Sequence, residues 1–193
     1  MKYDKLNVAG FVFDFDGFVP SDENPVPVNR IMDFITVGPF VLATDGSFEA
    51  EHMYEREKLL LEDYLAADGG EKNIVPVCGR KVKNDYYGDE YLKWEKGFIK
   101  WNSLRFDRDE DACDPALFAT EQSNAVYYAA FYVDCKKKEK AIISYENSGS
   151  SLFVNGELVD FRPFGRVKGL NGLGFQCLVE FRKGRNLVVF KLR

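Results

Sequence analysis

Between Asn84 and Trp94 the chain reads Asn-Asp-Tyr-Tyr-Gly-Asp-Glu-Tyr-Leu-Lys-Trp, so that Tyr86, Tyr87, Tyr91 and Trp94 fall close together with carboxylates and a lysine among them. Flat aromatic faces that cover the apolar C–H side of a sugar, beside a few polar groups for its hydroxyls, are the composition of a carbohydrate site. The segment is loop-like, and binding groups concentrate on loops. A structural reading stands beside this one, in which Tyr91 and Trp94 anchor a long excursion to the core. Arg162 and Arg166 flank Pro163-Phe-Gly165. A guanidinium there is suited to a carboxylate, including that of an acidic sugar, or to solvent as a surface residue. The expected carbohydrate-binding residues are Tyr86, Tyr87, Tyr91, Trp94 and Arg162; no catalytic residue, metal ligand or cofactor is expected.

Other chemistry is poorly provided for. His52 is the single histidine, which disfavours zinc sites and iron sites that need two or more. It precedes Met53 near a helix start, where a surface or capping role accounts for it. Cys78, Cys113, Cys135 and Cys177 are 35, 22 and 42 residues apart. No C-x-x-C pair occurs, so zinc ligation is unsupported. Cys135 and Cys177 sit within or beside apolar runs, where a thiol behaves as a small hydrophobe. Four free thiols and a reducing, cytoplasmic compartment follow as expectations, or an extracytoplasmic one if the chain is part of a secreted protein. Glu49, Glu51, Glu55, Glu57 and Glu62 read as a solvated helix face. A glycosidase needs two carboxylates opposed across a cleft, and spacing alone does not create that.

The whole chain has 193 residues, about the size of one domain. Its 17 Phe, 10 Tyr and 2 Trp favour strands and large buried faces and exclude intrinsic disorder. A net charge of −5 disfavours non-specific nucleic-acid binding. No apolar run approaches the roughly 20 residues of a membrane span, and the N-terminus does not read as a signal peptide. Neither nucleic acid nor membrane is expected as a partner.

The elements that must position these groups are mostly strands. Val8–Phe15 reads as a strand, residues 20–27 as a Pro-rich loop, and Phe34–Val37 as a short strand stopped by Gly38-Pro39. Residues 49–66 carry the one helical pattern, ended by Gly69-Gly70. Residues 71–115 read as turns, a short strand around Phe98–Trp101 and an acidic loop, Asp107–Asp114. After residue 125, six strands follow at close spacing: Ala125–Val133, Ala141–Glu146, Ser151–Val154, Glu157–Phe161, Gln176–Phe181 and Asn186–Leu192. Asn155-Gly156 lies between two alternating apolar runs and predicts a type I′ hairpin turn. Lys183-Gly184-Arg185-Asn186 marks a second turn. The expected fold is mainly β: an antiparallel two-sheet jelly-roll sandwich with one helix and a long irregular excursion in the N-terminal half. It forms one domain over 1–193, with an N-terminal extension, 1–30, packed on it.

Phe11-Val-Phe-Asp-Phe-Asp-Gly17 resembles the first motif of haloacid-dehalogenase-like phosphatases. The resemblance implies Asp14 as phosphoryl-accepting nucleophile and Asp16 as general acid/base, both near Mg²⁺. Phe18 stands where that family has Thr, and the chain does not alternate strand and helix as a parallel sheet requires. No later lysine and acidic pair at a strand end completes the set, so two carboxylates at a turn into Gly17 account for the motif.

A second resemblance covers residues 31–192. Ile31–Phe40 is similar to a "W-x-h-h-G-P-F" segment with Phe34 in place of Trp, and Asp68–Pro76 to a "GGE-x-N-h-x-P" segment. Tyr91–Trp94, Ala125–Ala129, Leu152–Glu157, Arg182–Asn186 and Val188–Lys191 follow in order. This order resembles galactose-binding-domain-like jelly-roll modules that accompany bacterial carbohydrate-active and related hydrolases. The resemblance implies a non-catalytic module that binds carbohydrate or braces a neighbouring catalytic domain of a larger glycan-processing hydrolase. Since the final residues read as a strand, a module carried by a longer polypeptide is expected. Some such modules hold a structural Ca²⁺. The acidic loop Asp107–Asp114 offers oxygen ligands but lacks the spacing and Gly of an EF-hand, which leaves a solvated loop as the simpler reading. The alternative is a structural or protein-interaction sandwich with no small ligand.

Overall fold

The computed structural model describes residues 31, 33–41, 59–84, 97–105, 125–145, 149–162 and 175–193. Several sequence expectations lie outside these residues: the strand at Val8–Phe15 with Asp14 and Asp16, the extension 1–30, His52 and residues 49–58, the loop Asp107–Asp114, Cys113 and Arg166.

Ten strands are described: β1 (Asp33–Val41), β2 (Lys81–Lys83), β3 (Phe98–Lys100), β4 (Asn102–Arg105), β5 (Ala125–Cys135), β6 (Glu139–Tyr145), β7 (Ser150–Val154), β8 (Glu157–Arg162), β9 (Phe175–Phe181) and β10 (Gly184–Leu192). All pairings are antiparallel. One sheet has six strands in the order β4-β1-β5-β10-β7-β8, and β6-β9 and β2-β3 form two-stranded sheets. The pairs β5–β10, β6–β9 and β7–β8 are nested, outermost to innermost in sequence, as strands pair in a jelly roll. The mainly β, antiparallel, sandwich-like architecture read from the sequence is the one observed, and each of the six strands expected after residue 125 forms.

Alternation explains the layers. On β5, Tyr127, Ala129, Phe131, Val133 and Cys135 face one side, and Val126, Tyr128 and Ala130 the other. The first set packs on Ala141 and Ile143 of β6, on Cys177, Val179 and Phe181 of β9, and on Val188, Phe190 and Leu192 of β10. On β9 the intervening Gln176, Leu178 and Glu180 point away from that core and are exposed. The opposite face of the six-stranded sheet is buried as well. Val37, Phe40, Tyr128 and Val189 pack there on Leu59, Tyr64 and Leu65, and on Val82, Ile99 and Trp101 from the β2–β3 region. The sandwich therefore has a third, thinner layer made from the segment that the sequence presents as an irregular excursion.

Two boundaries differ from expectation. Gly38-Pro39 does not stop the first strand. β1 runs on to Val41, and its register on β5 shifts between Val37 and Phe40, so a bulge absorbs the pair. The helix expected over 49–66 is helical, in its described part, only at 59–61. Asp63 is the reason. Its carboxylate accepts the backbone N–H of Leu65 at 3.0 Å and of Glu71 at 3.0 Å. Such side-chain bonds compete with helix continuation. A 3-10 turn follows at Ala66–Asp68, closed by Gly69 with φ +104°.

Candidate functional site

Arg162 is the expected site residue that the structure describes. It ends β8, the outermost strand of the large sheet. Period-two alternation sets it on the same side as Asp160, and its Nε lies 3.0 Å from Asp160 Oδ1 and 3.1 Å from Oδ2. Tyr145 of β6 donates its hydroxyl to Asp160 Oδ2 at 2.8 Å. Burial pushes the Tyr145 phenol well above its ordinary value, and the Asp160 bond adds to this. The same carboxylate raises the Arg162 guanidinium. Burial, aided by Asp160, raises the thiol of Cys177 nearby, so it stays protonated and poorly nucleophilic. The group therefore carries no activated nucleophile. It offers a phenol, a carboxylate and a guanidinium whose side chain is 42% exposed. These are groups that hydrogen-bond hydroxyls, and a ligand carboxylate would compete with Asp160 for Arg162.

Tyr86, Tyr87, Tyr91 and Trp94 lie outside the described residues, but the root of their segment is defined. β2 pairs β3 with Lys81 opposite Lys100 and Lys83 opposite Phe98. Beyond the ladder, Asn84 N–H donates to Gly97 O at 3.0 Å. Val82 and Ile99 turn into the core and fix the hairpin to the sheet. Residues 85–96 are thus the connection of one β-hairpin. That hairpin sits on the β1 side of the sheet, whereas Arg162 is on β8, four strands from β1 in the sheet order. The described contacts do not bring the two together.

Among the described residues a buried ion pair lies where the sequence reading expected none. Lys191 of β10 has a fully buried side chain. Its Nζ donates to Leu60 O at 2.9 Å, to Glu62 O, and to Glu71 Oε1 at 2.7 Å, which uses all three ammonium protons. The Tyr64 and Tyr128 rings lie 5.1 and 5.7 Å from it. Tyr128 donates its hydroxyl to Glu71 Oε1 at 2.6 Å. Burial lowers the Lys191 ammonium, opposed by Glu71, and burial followed by Glu71 raises the Tyr128 phenol. A buried polar network with all its protons engaged fixes structure; here it fastens residues 60–71 to the sheet. The only sequence signal was a lysine inside the apolar run Leu187–Leu192. At a strand end such a lysine ordinarily reaches solvent along its stem.

Among the described residues no group of three or more His, Cys, Asp or Glu could hold a metal ion. Cys78 is exposed, Cys135 and Cys177 are buried, and all three are free thiols. Among the same residues no helix is long and apolar enough to cross a membrane. Comparison with protein-family models, with curated proteins and with solved structures finds no match.

Proposed function

We propose that the chain is a non-catalytic β-sandwich module that binds carbohydrate and serves a larger glycan-processing hydrolase, with the aromatic connection of the β2–β3 hairpin as its binding loop. The observation that carries this reading is the closure of that connection at Asn84 and Gly97, 3.0 Å apart through one hydrogen bond. It supports the reading in that Tyr86, Tyr87, Tyr91 and Trp94 all fall between two residues held together on a packed hairpin, and a fixed root limits the entropy lost when a connection engages a ligand. The Tyr145–Asp160–Arg162 group agrees with it as a set of hydroxyl-recognising side chains held without an activated nucleophile.

The test is a glycan array probed with the full chain, followed by titration of the tightest hit. Tyr86→Ala combined with Tyr87→Ala should abolish the affinity while leaving thermal unfolding unchanged. Undiminished binding by the double variant overturns the loop as the site. Absence of binding to every glycan overturns carbohydrate recognition and leaves the bracing role.

A further inference from the structure

Two basic runs that are far apart in the sequence meet at one end of the sandwich. Lys136, Lys137 and Lys138 form the turn between β5 and β6, with Lys140 just beyond, and Arg182 and Lys183 form the connection between β9 and β10, with Arg185 just beyond. The ladders make them neighbours, since Cys135 pairs with Gly184 and Glu139 pairs with Phe181. All seven cations are exposed. Counting Asp134, Glu139 and Glu180, this tip has seven cations and three carboxylates, a net +4. The chain total of −5 leaves −9 on all other residues.

The carboxylates at the tip do not neutralise it. Glu180 pairs with Lys138 at 2.6 Å, and Asp134 takes Arg185 bidentately at 3.2 and 3.3 Å. Among the described residues Lys136, Arg182 and Lys183 carry no ion pair. The second turn is rigid. The fully buried amide of Asn186 donates to Arg182 O at 2.8 Å and Gly184 O at 3.0 Å and accepts from Arg182 N–H at 2.9 Å. Beside the cations, Tyr132 is 38% exposed, with the Arg185 guanidinium 5.4 Å from its ring centroid.

From this juxtaposition of Lys136–Lys140 with Arg182–Arg185 we infer that the tip is a second binding surface, for an acidic polysaccharide carrying carboxylate or sulfate groups. The inference rests on the carbohydrate reading above and names the class of glycan. A row of exposed cations spread over two adjoining turns suits a polyanion better than one small anion. The exposed residues of the two turns are Lys, Arg and Gly, with no apolar side chain to enter a lipid interface. One exposed aromatic ring provides no track for successive bases.

The experiment measures binding of the full chain to immobilised heparin and to polygalacturonate, between about 50 and about 200 mM salt. Phosphatidylserine vesicles, single-stranded DNA and neutral glycans are measured in parallel. Binding to one acidic polysaccharide that weakens steeply with salt is expected. The triple variant Lys136→Gln, Arg182→Gln, Lys183→Gln should lose it by roughly tenfold or more. A control variant, Lys72→Gln, Lys100→Gln, Arg105→Gln, should bind as the parent does. No binding to either polysaccharide, equal binding by the tip variant, or tighter binding to vesicles or DNA overturns the inference. Neutral-glycan binding that persists in that event leaves the hairpin-loop reading standing, and loss of both defeats the two together.

Discussion

Lys191 and Glu71, 120 residues apart in sequence, meet at 2.7 Å with the lysine side chain wholly buried. Between them they hold the turn-rich segment 59–73 against the sheet: Lys191 takes its carbonyls, and Glu71 bonds in turn to Tyr128. Removing one partner of a buried pair strands the other charge, which costs about 3–5 kcal/mol. Lys191→Met should therefore lower unfolding stability by about that much, read from urea midpoints. Adding Glu71→Gln to it should recover part of the loss. If the two losses simply add, the residues are not coupled.

The tyrosines give the stability an alkaline limit. Burial raises Tyr127 to about 12, and raises Tyr128 and Tyr145 in the same direction. Each native phenol keeps its proton where the unfolded chain begins to lose it, near 10. Their contribution is complete below about pH 10 and declines as pH climbs through the folded values. Lys191 works the other way. Its lowered value means that the unfolded chain holds the proton longer, so its contribution rises with pH just below 10.5. Three phenols outweigh one amine, and the urea midpoint should fall above about pH 10. Tyr127→Phe should flatten that fall; an unchanged profile would refute the assignment.

Gly156 and Gly184 both lie in the left-handed region, at φ +82° and +94°, yet their surroundings differ. A Cβ at Gly156 would collide with the Lys72 carbonyl, its carbon only 3.0 Å away, whereas nothing lies within 4 Å of one at Gly184. Gly184→Ala should cost about 1–2 kcal/mol from backbone strain alone. Gly156→Ala should cost clearly more, since the 71–73 turn must also shift. Equal losses in thermal unfolding would show that this contact carries no weight.

Asn186 joins the Asn155-Gly156 hairpin turn to the connection between β9 and β10, which lie in different sheets. Besides holding Arg182 and Gly184, it accepts the Asn155 side-chain amide at 2.9 Å, and Asn155 Oδ1 accepts Leu187 N–H at 3.0 Å. Asn186→Ala leaves Asn155 and the turn carbonyls without these partners and should destabilise by about 2 kcal/mol. It should also speed amide hydrogen exchange in residues 182–187 and 155. Acceleration in only one of the turns would mean that they are not linked.

For Arg162 the strand it belongs to was legible while its environment was not. Its position at the end of the strand that follows Asn155-Gly156 is within one residue of the strand pattern, but the Asp160 and Tyr145 that occupy it are not read from that pattern. Asp160 is two residues away and on the same face, which alternation implies. Tyr145 comes from β6, in a different sheet. The helix over 49–66 was overestimated at its described end for a similar reason. Apolar spacing reports a face, while the Asp63 carboxylate that turns the chain acts on Glu71, eight residues on.

The sequence by itself determined the strands after residue 125, the Asn155-Gly156 hairpin turn and the antiparallel, mainly β class; the turn expected at Lys183–Asn186 forms, but it links two sheets and closes no hairpin. Those follow from period-two alternation and from positive φ at Asn155 and Gly156, which are properties of neighbouring residues. The tertiary structure alone decided three things. It set the nested order of the pairs, it buried Lys191 under a segment from the other half of the chain, and it brought Lys136–Lys138 beside Arg182 and Lys183. Each depends on which ladders close over long loops. A local pattern says that a strand has a face to bury but carries no record of what will cover it.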